Sequence, residues 1–176
     1  MAIIVRRAKV SDLPQLIDKM CEHAQGQKDF GVKTIAKDPQ VVQGGMMIEL
    51  GGCFLLPNYR IVLAEKDGDI VGYVIGVLEH CPPIDEYIKA VRIRADYIND
   101  KSLAAPKILT AMWNEIYKWG RAEGAGYFYG LIHPGNQPSI RTAKHAGFKH
   151  HMTQFLVLTS DLINAETKEA EVKADE

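Results

Sequence analysis

The chain has 176 residues, of which 47% are hydrophobic and 24% charged, and these proportions exclude a mostly disordered, collagenous or fibrous protein. Its apolar runs, such as IVGYVIGVL at 70–78, are interrupted by glycine and far shorter than the roughly 20 residues of a membrane span. The arginines near the N-terminus follow its apolar stretch, the reverse of a secretory signal, so we expect a cytoplasmic protein with no membrane contact.

The net charge of −1 is the sum of two unlike parts. Residues 164–176 hold five acids and two lysines, which leaves 19 basic and 17 acidic residues in 1–163. We expect 1–163 to be a single domain and 164–176 to be a disordered acidic tail, because the tail has few large apolar side chains to bury. The basic surplus is too dilute to indicate nucleic-acid binding. Three cysteines without CxxC spacing indicate neither a zinc site nor a disulfide framework.

The first third of the chain predicts one strand and two helices. Strand 2–8 is rich in β-branched residues, and Ser11-Asp12 is a typical helix N-cap pair for a helix over 11–24. Residues 25–37 are polar and predict a loop. Asp38-Pro39 begins a second helix, which we expect to end near Leu50 because Gly51-Gly52 follows it.

The middle of the chain predicts a hairpin and a further strand. Two β-rich runs, about 60–66 and 70–79, flank Asp67-Gly68, a pair that favours a tight hairpin turn. Over 91–98 apolar and polar residues alternate, which predicts one buried and one polar face. The residues expected on the buried face are Val91, Ile93, Ala95 and Tyr97, and those on the polar face are Arg92, Arg94 and Asp96.

The second half predicts a long helix, a strand, a short helix and final strands. Pro106 suits the first turn of a helix to about Glu123, whose apolar residues form one stripe. A strand over 127–132 precedes a helix over 137–146, and residues 148–160 supply the last strands. The order of elements predicts an α/β (α+β) domain with a mixed sheet, since an early hairpin and a late β-α-β crossover require different strand directions.

Two segments resemble the GNAT family of N-acyltransferases over about residues 3–160: AEKDGDIVGYVIG (64–76) and WGRAEGAGYFYGLIHPGNQPSIRTAKHAGF (119–148). The resemblance implies a central, mostly antiparallel mixed sheet flanked by helices on both faces. It implies acetyl-CoA or another acyl-CoA as co-substrate, no metal, and an amine acceptor on a small molecule or protein.

The resemblance also implies where the acyl-CoA binds. The backbone near Tyr97 and Ile98 contacts the thioester, and the stretch 99–109 corresponds to the pyrophosphate loop, although it contains no glycine. The implied cofactor-binding residues are Ile98, Lys101, Ser102, Ala104, Ala105, Lys107, Asn136 and Arg141. Helix capping by Asn136 and a solvated Arg141 are the structural alternatives.

Three residues are candidates for proton transfer. Glu79 and Asp96 can serve as the base that deprotonates the amine, while pairing of Asp96 with a neighbouring arginine is the structural alternative. Many family members have a proton-donating tyrosine at the position that is Ala143 here. Either another group donates the proton, or the reaction does not proceed by that route. Tyr97 is the preferred candidate for the proton donor, and Tyr127, Tyr129 and His145 are the alternatives. A lone histidine such as His133 is more often structural.

The sequence therefore predicts transfer of an acetyl or other acyl group from acyl-CoA to an amine by direct attack in a ternary complex. The alternative is a catalytically inactive module of the same fold that binds a ligand or takes part in an assembly. The segment GGMMIELGGCFLLP (44–57) lies where family members build the acceptor pocket, but core packing or contact in a homodimer explains its composition as well.

Overall fold

A computed structural model of the chain describes residues 3–30, 32, 38–81, 87–99 and 105–150. The predicted final strands beyond residue 150, the acidic tail and part of the predicted pyrophosphate loop (100–104) lie outside the described residues. The elements in chain order are β1 (Ile3–Arg7), α1 (Leu13–Asp29, after a 3-10 turn at Val10–Asp12), α2 (Pro39–Leu55), β2 (Tyr59–Lys66), β3 (Asp69–His80), β4 (Lys89–Ile98), α3 (Ala105–Ala122), β5 (Tyr127–Gly130) and α4 (Gln137–His145).

The described strands form one sheet in the order β1-β2-β3-β4-β5. The first four pair antiparallel, and β4 pairs parallel with β5. The α3 helix supplies the crossover between those two parallel strands, as parallel neighbours require. This arrangement confirms the predicted mixed, mostly antiparallel sheet.

Helices cover both faces of the sheet. On one face, Leu16 of α1 and Leu50 of α2 pack with Tyr73 in a buried cluster. On the other, Met112 and Ile116 of α3 pack against the sheet in a second cluster. We call these the α1/α2 face and the α3 face. Burial of apolar side chains on both faces drives folding of this three-layer unit.

The hairpin turn matches its prediction. Asp67 and Gly68 have φ values of 56° and 90°, so both central residues occupy the left-handed region, as a two-residue type I′ turn demands. Glycine and aspartate tolerate that region better than most residues. A local signal of two residues was therefore sufficient to predict the hairpin.

Both N-terminal helices are longer than predicted. The α1 helix runs to Asp29 rather than 24, and α2 continues through Gly51-Gly52 to Leu55 instead of ending near Leu50. Each glycine costs about 1 kcal/mol relative to alanine in a helix. Burial of Leu50 and Cys53 against the sheet offsets that cost, because packing outweighs propensity.

A β-bulge reverses the faces of β4. Ile75 lies opposite Ala95 while Gly76 lies opposite Ile93, so Arg94 is an extra residue in β4. Ile93 packs on the α3 face, whereas Ala95 and Tyr97 pack on the α1/α2 face. The predicted single buried face of 91–98 is therefore wrong, because a bulge inserts one residue into a period of two.

Within the ranges that the structure describes, no helix is both long and apolar enough to span a membrane.

Candidate active site

The strands β4 and β5 separate at one end of the sheet. Their pairing ends where Ile93 lies opposite Gly130, but β4 continues to Ile98. The N–H of Asn99 donates to the carbonyl of Val71 at 2.8 Å, so this residue faces β3. Because successive backbone groups of a strand alternate in direction, the N–H and C=O groups of Ile98 and Asp96 face the opposite side, where β5 has already ended. We call this the β4–β5 opening.

Asp96 lies beside the opening on the α3 face. It stands opposite Val74 of β3, which belongs to the cluster beneath α3. Burial raises the pKa of Asp96 to about 6, while the indole N–H of Trp113 favours the carboxylate and works against that rise. Nε1 of Trp113 is itself buried with no hydrogen-bond partner of ordinary geometry in the described ranges. Asp96 is thus a carboxyl group that can exchange a proton near neutral pH.

On the α1/α2 face, a cluster of aromatic side chains lies at the same end of β4. Nδ1 of His23 is 2.7 Å from the Tyr73 hydroxyl, and Nε2 of His23 is 2.7 Å from Nε2 of Gln27. The ring of Tyr97 stacks on His23 with centroids 5.1 Å apart. Burial lowers the pKa of His23 to about 4, so this imidazole is neutral at physiological pH.

Tyr97 connects this cluster to solvent. Its hydroxyl donates to Oε2 of Glu22 at 3.2 Å, and the Asn99 side chain donates to the same oxygen at 3.4 Å. Burial, and then the charge of Glu22, raises the pKa of Tyr97 to about 12. Its phenol therefore keeps its proton at neutral pH.

Sequence reasoning missed His23, Tyr73 and Glu22. His23 continues the spacing of Leu16 and Met20 along α1, and that spacing is the signal that places it on the buried side. For Tyr73 and Glu22 no local signal exists, since their contacts join residues about 50 and 75 positions apart in the chain.

Glu79 lies away from the other two catalytic candidates. It stands opposite Ala90 at the beginning of β4, which is about 20 Å from Asp96 along the strand at 3.3 Å per residue. Its carboxylate pairs with Arg92 at 2.8 Å and accepts a hydrogen bond from Tyr129. The structure therefore places Asp96 and Tyr97 at the same end of β4 on opposite faces, and it leaves Glu79 in an ion pair between strands.

The structure describes only some of the cofactor-binding residues that were predicted around α3. Ile98 ends β4 and Ala105 begins α3, with Lys107 exposed in its first turn. Lys107 forms no ion pair with another described residue. Lys101, Ser102 and Ala104 lie outside the described residues, so their predicted phosphate contacts stay predictions.

The remaining two cofactor candidates lie at α4. Asn136 is 7% exposed, and its Oδ1 accepts from the N–H of Ser139 at 3.2 Å, so it caps the helix as the structural alternative requires. Arg141 is exposed in the same helix. Contact of either residue with acyl-CoA stays a prediction.

Two other residues considered near α4 have local structural contacts. Nδ1 of His133 accepts from the N–H of Gly135 at 3.1 Å, which stabilises the turn before α4. His145 contacts the carbonyl oxygen of Arg141 in its own helix. In the described part of the chain, no three His, Cys, Asp or Glu side chains are grouped to hold a metal ion.

No family model matches the sequence, and no curated protein matches it either. Its structure, however, is similar to several solved ones. A predicted acetyltransferase from Clostridium acetobutylicum, solved with acetyl-CoA, has a TM-score of 0.69 at 14% identity, over 90% of this chain and 96% of that one. An aminoglycoside 6′-N-acetyltransferase from Acinetobacter haemolyticus has a TM-score of 0.70 at 10% identity, over 89% and 97%.

The chain has the GNAT fold. The fold predicted from the two sequence segments is thereby confirmed. A transcriptional regulator from Bacillus halodurans C-125 is equally similar, with a TM-score of 0.70 at 12% identity over 89% of this chain and 99% of that one. At such low identities the likeness concerns the fold, and function must be argued from the site.

Proposed function

We propose that this protein transfers an acyl group from acyl-CoA to an amine. The observation that carries the proposal is the β4–β5 opening, in which backbone groups of Asp96 and Ile98 face away from β3 beyond the end of β5. An unpaired strand edge between two splayed strands can pair with an extended, amide-containing ligand arm. A solved structure of the same fold with acetyl-CoA supports this assignment.

The described residues fit an anionic acyl-CoA. The N-terminus of α3 follows the end of β4 after a short connection, and the N–H groups of a helix N-terminus favour phosphate. Lys107 in the first turn of α3 and Arg141 in α4 add positive charge without an acidic partner in the described ranges. When bound, acyl-CoA supplies an acyl group that is activated as a thioester.

The two proton transfers of the reaction use residues on opposite faces of β4. Asp96 accepts the proton of the attacking amine on the α3 face, directly or through a water molecule, as its raised pKa favours. The N–H of Ile98 donates to the thioester carbonyl oxygen, where negative charge develops. A carbon–nitrogen bond forms, the carbon–sulfur bond breaks, and Tyr97 gives its hydroxyl proton to the departing sulfur.

The N–H of Ile98 provides a direct test. Ile98→Pro removes a backbone donor that points away from β3, a position where a strand tolerates proline. Ile98→Ala is the matched control, because it keeps the N–H and also loses the isoleucine side chain. We expect Ile98→Pro to lower kcat by about 100-fold, measured as thiol release from acetyl-CoA with an amine panel. The panel includes an aminoglycoside, since one protein of similar structure is named for that acceptor.

Calorimetric titration with acetyl-CoA tests the co-substrate. Saturable heat with the full chain supports the proposal, whereas no heat at millimolar acetyl-CoA would falsify it. Equal losses of kcat in the proline and alanine variants would show that the Ile98 N–H has no role in catalysis.

The alternative is a binding module without catalysis. The observation that favours it is Ala143, a half-buried α4 residue with no proton to donate. Saturable acetyl-CoA binding without thiol release from any amine in the panel would select this alternative.

A further inference from the structure

The helix α2 is apolar on two opposite sides. Leu50 and Cys53 are buried against the sheet, as expected for a helix that covers a core. Val41, Ile48 and Leu55 are 59%, 80% and 84% exposed. A surface helix normally presents polar side chains to water, so this outer side requires a separate explanation.

The apolar residues of this outer side form a line along α2, and all of them are exposed except the half-buried Gly52. Val41, Gly45, Ile48, Gly52 and Leu55 follow one another at steps of four, three, four and three residues; we call them the α2 stripe. These steps average 3.5 residues, which is the repeat of the apolar contact residues when two helices pack along each other. The stripe therefore has the pattern of a helix–helix contact.

The described part of the fold does not require the glycines of α2. A Cβ atom on Gly44, Gly45, Gly51 or Gly52 would meet no atom of the described residues within 4 Å, and none of these glycines has a positive φ. Glycine within a helix is destabilising relative to alanine. Close approach of another backbone is the remaining general reason for glycine in such a position.

The pattern is symmetric about Ile48. Val41 and Leu55 lie seven residues before and after it, and each glycine pair, 44–45 and 51–52, lies three and four residues away. An antiparallel pair of identical helices about a two-fold axis at Ile48 would place Val41 opposite Leu55 and glycine opposite glycine. A two-fold interface has to be complementary to itself in this way.

Area and charge are consistent with such a contact. The exposed surface of the stripe, with Leu56 directly after its C-terminal end, is about 500 Å² per copy, so two copies reach the roughly 1,000 Å² that a specific interface needs. The helix has one charged residue, Glu49, and Arg94 neutralises it at 2.6 Å. No unpaired charge has to be desolvated along the stripe.

We propose that the α2 stripe is the interface of a homodimer, in which α2 packs antiparallel against α2 of a second copy about a two-fold axis at Ile48. Glycine opposite glycine lets the two helix backbones approach closely on both sides of the axis. Formation of this dimer does not require acyl-CoA binding, so the dimer and the proposed activity are tested independently of each other.

The first test is sedimentation equilibrium of the full chain from about 1 to about 200 μM, since dimerisation follows mass action. We expect a dimer for the natural sequence and a monomer for Ile48→Glu, with Kd raised by about 100-fold or more, because two carboxylates would meet at the axis. Val10→Glu is the matched control, since Val10 is 68% exposed elsewhere; it should remain dimeric. A monomeric natural sequence, or a dimer that survives Ile48→Glu, overturns the proposal.

The second test uses the glycines themselves. The double variant Gly45→Ala and Gly52→Ala should raise the thermal midpoint of dilute protein by a few degrees, since alanine favours helix. It should also raise the dimer Kd by about tenfold or more, because the added methyl groups separate the helices. Gly26→Ala in α1, another open helical position, should raise the midpoint without changing Kd. An unchanged Kd in the double variant contradicts the close backbone contact.

Discussion

The two faces of the sheet near the end of β4 contain different kinds of ionisable group. On the α1/α2 face a half-buried imidazole, His23, has its pKa lowered to about 4 by desolvation. On the α3 face a carboxyl group, Asp96, has its pKa raised to about 6. One physical cause accounts for both shifts, because burial disfavours the charged form of a base and of an acid alike. The strand β4 therefore separates a base and an acid whose neutral forms are both favoured by burial.

The largest effect that tests this comparison is the pH dependence of stability. The pKa of His23 is lower in the folded protein than in the unfolded chain, so its contribution to the free energy of unfolding is lost as pH falls from about 6.5 to about 4. The pKa of Asp96 is raised on folding, so its contribution is lost as pH rises from 3.8 to about 6. Each amounts to at most about 3 kcal/mol, since both side chains retain some exposure.

Two variants separate these opposing contributions. Relative to the natural sequence, His23→Gln should become less stable as pH rises from 4 to 6, and Asp96→Asn should become more stable over the same interval. Urea unfolding at several pH values measures both slopes. Slopes of the same sign relative to the natural protein would contradict opposite shifts on the two faces.

A smaller effect is expected where β3 approaches the opening from the α3 face. A Cβ on Gly72 would lie 2.9 Å from the carbonyl oxygen of Tyr97 and 3.1 Å from Cε of Met112. Gly72→Ala should lower the free energy of unfolding by about 2 kcal/mol, because a backbone oxygen cannot easily move away. Gly26→Ala, at an open position, is the control and should not destabilise the protein; equal losses in both variants would refute the close contact.

The smallest effect distinguishes two tyrosines on the α1/α2 face. Tyr73 is fully buried and its hydroxyl contacts His23, so Tyr73→Phe should cost about 1 kcal/mol by leaving the imidazole without that partner. Tyr97→Phe removes a hydroxyl whose acceptor, Glu22, is exposed, and should change stability by less than about 0.5 kcal/mol. Thermal unfolding at neutral pH measures both losses of stability. A larger loss for Tyr97→Phe than for Tyr73→Phe would contradict this prediction.

The elements that were predicted correctly depend on local signals. Asp67-Gly68 defines the hairpin because both residues accept the left-handed region that its turn requires. The apolar stripe of α3 predicted its buried face because Met112 and Ile116 recur at helical spacing. The first of the two segments that resemble the GNAT family, residues 64–76, contains the turn signal, and the fold that the resemblance implies was confirmed.

The elements that were mispredicted depend on contacts between distant residues. The end of α2 was placed near Leu50, because glycine propensity cannot show that Cys53 is buried against the sheet. The bulge at Arg94 is visible only when β4 is paired with β3. That bulge decides that Asp96 and Tyr97 lie on faces opposite to those expected from alternation.

By itself, the sequence determined the order of helices and strands as far as α4, the tight turn and the two adjacent proton-transfer candidates, Asp96 and Tyr97. Only the tertiary structure decided which face each of them occupies, where β4 and β5 separate, and that His23 and Tyr73 meet beside Tyr97. The physical reason is that turn formation and helical periodicity depend on neighbours in the chain. Register, burial and the pKa shifts that follow from burial depend on residues brought together by folding.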